Sequence, residues 1–163
     1  MTDDAPDPEL LAQAHALCLE AFGADDFTPD DWQHALGGVH LFVLDDDLLV
    51  AHAAVVPRAL RSGDRLLDVG YVEAVAVRAS HRGRRLGHTV MAAVEQVIIE
   101  VHDMGALCST DAGLPLYLSR GWQPWRGPLD PSGDVLVRSG RLSPESLDLD
   151  APLTADWRAG DVW

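Results

Sequence analysis

Gly70-Tyr71-Val72-Glu73-Ala74-Val75-Ala76-Val77, running directly into Arg78-Ala79-Ser80-His81-Arg82-Gly83-Arg84-Arg85-Leu86-Gly87, is the stretch that decides the architecture. It reads as a strand, a basic turn and a helix. The valine-rich run from Tyr71 to Val77 suits a strand buried on both faces. Glu73 interrupts it, and a carboxylate there has to be paired, hydrogen-bonded or employed, because burying it bare is costly. Four of the chain's 12 basic residues crowd into the turn, against a formal net charge of −14. From Leu86 the apolar residues recur at 86, 90, 91, 94, 97, 98 and 101, the stripe of an amphipathic helix. The free N–H groups and partial positive charge at such a helix start suit a phosphate or pyrophosphate.

Outward from that unit, 163 residues are read as one domain, 1–163, long enough to bury a core without covalent staples. No apolar run approaches the length that crosses a bilayer. Met1-Thr2-Asp3-Asp4 is acidic and lacks the charged-then-apolar layout of a signal peptide. Cys18 and Cys108 each sit in an apolar pattern and make no disulfide framework, so the expected setting is reducing and cytoplasmic. Every basic residue is arginine, which excludes a Schiff-base or lysine-nucleophile mechanism. The acidic excess argues against nucleic acid and is compatible with a polycationic ligand steered into an acidic cleft. The seven histidines show no metal-ligand spacing, so no metal is expected. His15, His34, His40 and His52 are read as structural.

Upstream, Asp7-Pro8 starts a helix that stops at Gly23, and Thr28-Pro29-Asp30-Asp31 starts a second that ends at Gly37-Gly38. Residues 39–44 and 48–56 read as a hairpin, and 65–77 as the third strand. Downstream come a short strand at 106–109, a helix at 111–120 closed by Gly121, a turn-rich connection at 127–134 and a strand at 135–138. The last twenty residues read as a loop. This order implies an α+β fold with a mixed, mostly antiparallel sheet flanked by helices.

The strand, basic turn and helix resemble motif A of the GCN5-related N-acetyltransferases, whose pattern is Arg/Gln-x-x-Gly-x-Gly/Ala. Here it stands as Arg82-Gly83-Arg84-Arg85-Leu86-Gly87, with Arg85 at the first glycine position. Within that superfamily the chain resembles the aminoglycoside 2'-N-acetyltransferases along nearly its whole length. Asp26-Phe27-Thr28, Asp31-Trp32, Ala51-His52-Ala53-Ala54-Val55, Gly70-Tyr71-Val72-Glu73 and Ser119-Arg120-Gly121-Trp122 carry the match. So does the tail Asp156-Trp157-Arg158-Ala159-Gly160-Asp161-Val162-Trp163, its most specific piece. The connection after Gly127 looks shorter than in that family.

The resemblance implies a sheet with a splayed central strand pair and acetyl-CoA as co-substrate, without metal. Glu73 is implied as general base acting through a water, against the alternative of a buried structural glutamate. Tyr117 is implied as the acid that protonates the leaving thiolate, against a core tyrosine with a bonded hydroxyl. Val75 and Val77 would pair with the pantetheine arm, and the backbone around Arg82, Gly83, Arg85, Leu86 and Gly87 would hold the pyrophosphate, with charge from Arg82 and Arg84. For the polycationic aminoglycoside it implies Asp26, Glu73, Asp161 and Trp163 with its terminal carboxylate; for Asp26 a local turn role stands equally open. Asp31 is better explained as stabilising the first turn of its helix. Trp157, Val162 and Trp163 are the expected anchors folding the tail over the site, so that losing Asp161 to Trp163 weakens drug binding with little cost in stability. The resemblance also allows a homodimer, with no nucleic acid and no membrane partner. Two alternatives stay open: acetyl transfer to another amine, such as a polyamine or cell-wall precursor, and a non-catalytic aminoglycoside binder.

Overall fold

The computed structural model describes residues 5–163; Met1-Thr2-Asp3-Asp4, the stretch read against a signal-peptide layout, lies outside the described residues. Helix α1 (Pro8–Phe22) begins where Asp7 accepts the backbone N–H of Glu9 at 2.9 Å, and proline takes the first helical position. Helix α2 (Pro29–Leu36) carries a full capping box: Thr28 accepts from Asp31 N–H, and the Asp31 carboxylate accepts from Thr28 N–H at 2.7 Å. Asp31 is therefore spent on the helix start, as its position suggests.

Strands β1 (Val39–Asp45), β2 (Leu48–Ser62) and β3 (Arg65–Val77) form an antiparallel meander. β2 runs six residues beyond the expected end because it stays paired with β3 down to Ser62–Arg65. Helix α3 (Leu86–Val101) matches its apolar stripe, and β4 (Met104–Leu107) then pairs parallel to β3. That strand lies two residues earlier than the sequence suggests, since Met104 and Gly105 join the ladder while Cys108 and Ser109 leave it. Helix α4 (Leu114–Ser119) is shorter than 111–120: Pro115 sits near its start and Gly121, at φ +86°, ends it. β5 (Gln123–Pro124), β6 (Leu129–Asp130), β7 (Leu136–Ser139) and β8 (Leu153–Thr154) complete the sheet. β6 lies in the connection read as turns and β8 in the tail read as a loop. Two residues each give no periodicity to detect.

The strand order is β5-β7-β4-β3-β2-β8-β6, with β1 also on β2. One face packs Val55, Val72 and Leu107 under Val90, Met91, Val94 and Ile98 of α3, each buried apolar side chain contributing roughly 1.5–3 kcal/mol. The helix can sit this close because β3 and β4 carry glycine beneath it. A Cβ on Gly105 would meet Ile98 at 2.6 Å, and one on Gly70 would meet His102 at 2.7 Å. The other face is shared by α1 and α2, around Leu17, Trp32 and Ala35, and by the C-terminal segment, around Trp125, Leu153 and Trp163. Trp32, Trp122 and Trp125 are all buried.

Candidate active site

The β3–β4 ladder ends at Tyr71–Ala106, so the β4-facing edge of β3 from Val72 to Val77 has no strand partner among the described residues. A bulge sharpens the divergence. Ala74 and Val75 together face Ala53 of β2, and Ala74 adopts φ +53°. Beyond Val72 the strand is only half-buried at Glu73, Ala74 and Val75, which corrects the reading of Tyr71–Val77 as covered on both faces. Its apolar side chains line a cleft instead of a second layer.

That cleft encloses about 540 Å³ and runs along the open edge of β3 to the start of α3. Val75 and Val77 line one wall, and Arg82, Gly83, Arg85, Leu86 and Gly87 line the end where α3 begins. Arg85 explains why the motif favours glycine there. It is the residue preceding α3 and sits in the left-handed region, φ +59° and ψ +23°, which costs a side-chain-bearing residue roughly 1–2 kcal/mol. Arg84 departs from expectation: it turns away to Asp45, at 3.7 Å, and does not line the cleft. Tyr117 on α4 reaches the same cleft, with its ring edge-on to Trp122 and its body buried. Burial pushes its phenol up to about 12, so it carries its proton at neutral pH.

A second chamber of about 530 Å³ adjoins the first. Asp25, Asp26, Asp30, Asp31, Glu73 and Asp161 all line it, and Trp163 borders both chambers. The structure thus brings Asp26, Glu73, Asp161 and Trp163 together from three separate parts of the chain. The Asp26 carboxylate makes no hydrogen bond among the described residues, so the turn role weighed for it is not realised. Asp161 accepts the backbone N–H of Trp163 at 3.2 Å. Cys108 lies at the junction of the chambers, its thiol pushed up by burial and by Asp161, Asp134 and Glu73.

Among the described residues, Glu73 is the one acidic side chain that lines both chambers. Burial pushes it above the usual carboxylate range, while the Arg158 guanidinium pulls it back. Arg158 Nη1 donates to Glu73 Oε1 at 2.5 Å. This pair was not legible in the sequence, because its partners are 85 residues apart and Arg158 belongs to no periodic element. The tail folds back on Trp163 as expected, with polar contacts added that the sequence did not suggest. Arg58, itself buried, holds Asp156 at 2.8 Å, His34 donates to the Ala159 carbonyl at 2.7 Å, and Trp163 is buried with its indole N–H on the Pro131 carbonyl at 2.5 Å. Trp157 anchors nothing: it is 84% exposed. Burial of Trp163 in the core around Val69 and Leu153 also corrects the expectation that the tail adds little stability.

Among the described residues no cluster is suited to a metal ion and no helix is long and apolar enough to cross a membrane. Comparison with known proteins agrees with the geometry. An aminoglycoside 2'-N-acetyltransferase of Mycolicibacterium fortuitum is 44% identical over 170 residues, covering 96% of this chain and 87% of that protein. The YhbS acetyltransferase of Escherichia coli, solved in complex with CoA, superposes with a TM-score of 0.70 at 15% identity, over 94% of this chain and 88% of that one. A GCN5-related N-acetyltransferase from Kribbella flavida gives a TM-score of 0.62 at 20% identity over 75% of this chain, which spans 32% of that longer protein. These structural likenesses speak to the fold alone. The profile of the acetyltransferase (GNAT) domain matches residues 8–125, which takes in the unzipped strand pair, the motif A turn and Tyr117. A chain so matched, with its third and fourth strands parted beside the start of α3, belongs to the GCN5-related N-acetyltransferases.

Proposed function

We propose that the protein transfers acetyl from acetyl-CoA to the 2'-amine of aminoglycosides. The observation that carries this reading is the position of Glu73, between a strand-edge cleft and a chamber walled by carboxylates. The name of the Mycolicibacterium fortuitum relative supports the choice of amine.

Acetyl-CoA, when bound, supplies an acetyl thioester to the amine. The residues present suit it: an open strand edge, the free N–H groups opening α3, and Arg82 beside them. In the acceptor chamber Asp26 and Asp161 bind and orient the drug's ammonium groups, while Trp163 forms the wall shared with the cleft. An amine attacks only as its free base, so Glu73 takes the ammonium proton, through a water, before the new amide bond forms. Tyr117 returns a proton to the departing thiolate. A backbone N–H at the splay, near the Ala74 bulge, offers a donor for the developing oxyanion. The protonated Cys108 thiol is a poor nucleophile, which favours direct transfer over an acyl-enzyme. A cytoplasmic location and a homodimer belong to the same reading, and sedimentation checks the second.

The test is thiol release from acetyl-CoA with paired aminoglycosides bearing an amine or a hydroxyl at the 2' position, with the new amide located by NMR. Acetylation of the amine alone is expected. Efficient turnover of the 2'-hydroxyl compound would remove the regiochemistry, and turnover of polyamines alone would transfer the activity to another acceptor.

A further inference from the structure

We propose that Arg158 is a positioning residue for Glu73, its guanidinium holding Oε1 as a fixed counter-cation so that Oε2 is the oxygen that faces the acceptor and takes its proton. The inference rests on Glu73 being the base, as proposed above.

The geometry makes Arg158 a fixture. Its Nη1 donates to Glu73 Oε1 at 2.5 Å, and its Nε donates to the Asp161 carbonyl at 2.8 Å. The guanidinium lies 5.2 Å from the centroid of the Tyr71 ring, and that of Arg58 lies 4.7 Å from the same centroid. Arg58 in turn grips the carboxylate of Asp156 at 2.9 Å and its carbonyl at 3.0 Å, two residues before Arg158. Both partners of the Glu73–Arg158 pair have side chains only 14% exposed, so water screens the pair weakly. Glu73 Oε2 makes no hydrogen bond among the described residues, and Glu73 lines both chambers. One oxygen is committed and the other is free.

The arrangement answers a chemical need. A base must be ionised before it can accept a proton, and burial alone drives a carboxyl toward its neutral form. Arg158 opposes that drift from outside the drug's own charges, so Glu73 is ready before the ammonium arrives. The other charged or titratable groups around Glu73 are Arg58 on β2, His34 on α2, Tyr71 on β3, Cys108 after β4, the carboxylates Asp25, Asp26, Asp30, Asp31 and Asp161 across the chamber, and the chain terminus at Trp163. Several ionisable groups surround the site, so the carboxyl itself has to be read.

The experiment follows the Glu73 side-chain carboxyl by carbon-13 NMR in glutamate-labelled protein, assigned with Glu73→Gln, across pH 3 to about 9. In Arg158→Met the titration midpoint is expected to rise by about one pH unit or more. Arg158→Lys, which keeps the charge, should hold it near the wild-type value. Arg158→Gln is the second neutral variant and should behave as Met does while keeping a hydrogen-bond donor. Turnover in the neutral variants should fall by up to about ten-fold at pH values below the shifted midpoint and converge on wild type above it. An unmoved midpoint in a folded neutral variant overturns the proposal, as does a loss of turnover equal at every pH. A lower KM for the amine in Arg158→Met also overturns it, because Arg158 would then be occupying the substrate's place. The carboxyl titration needs no substrate, so failure of wild type to acetylate any 2'-amine removes the functional reading and still leaves the role of Arg158 decided.

Discussion

The imidazole of His52 donates from Nδ1 to the carbonyl of Ala74 at 2.8 Å, tying β2 to the bulged residue that follows Glu73. A carbonyl only accepts, so Nδ1 carries the hydrogen. In the neutral ring Nε2 then accepts from His40 Nδ1, at 2.9 Å. Two histidines thus brace the bulge that opens the cleft.

His52 is fully buried, and desolvation lowers its pKa from 6.5 to about 4. The unfolded chain binds this proton below about pH 6.5, the native protein only near 4, so stability falls as pH drops through that window. Between pH 7 and 5 the loss from this group is about 2 kcal/mol. Burial lowers His40 as well and adds in the same direction. His52→Asn should flatten that part of the curve. Urea melts at the two pH values give the answer, and equal losses in both proteins would falsify the assignment.

Glu73→Gln removes the proton acceptor while keeping its size. Turnover should drop by about 10²–10⁴-fold near neutrality and recover in part at high pH, where amines deprotonate unaided. The kcat profile from pH 6 to about 10 measures this. A profile parallel to wild type would make Glu73 structural.

Tyr117→Phe deletes a hydroxyl whose proton burial holds on to up to about pH 12. It should slow transfer by about 10²-fold with acetyl-CoA affinity and melting temperature nearly unchanged. Calorimetric binding beside steady-state rates separates this from a packing role, which would show as a loss of stability with normal turnover.

Arg85 holds a left-handed conformation at the head of α3. Arg85→Val should destabilise by about 1–2 kcal/mol, because a β-branched residue tolerates that region poorly. Arg85→Gly should be neutral or stabilising by up to about 1 kcal/mol. Chemical denaturation ranks the three proteins, and a valine variant as stable as wild type would contradict the strain.

The two tail tryptophans should part company. Trp163→Ala removes a buried ring and should cost about 3 kcal/mol or more, together with a higher KM for the amine. Trp157→Ala, at an 84% exposed site, should stay within about 0.5 kcal/mol of wild type. Thermal melts of the pair decide it.

What the sequence determined by itself is what depends on neighbours in the chain. Asp7 and the Thr28–Asp31 box set their helix starts through contacts two and three residues away. The period of α3 set its buried face, and the turn from Arg82 to Gly87, together with the matches along the rest of the chain, pointed to the family. These signals are local, and local chemistry makes them. Glu73 was conspicuous for a related reason, as a charge in a valine run. Only the tertiary structure decided how that charge is treated. The ladder between β3 and β4 ends at Tyr71 and leaves Glu73 half-covered; Arg158, 85 residues on, supplies its counter-cation; and Asp26 and Asp161 meet across a chamber neither element outlines alone. The tail shows the division most plainly. Trp157 and Trp163 look alike as residues, yet one is exposed and the other is core, because burial depends on where the folded sheet leaves room.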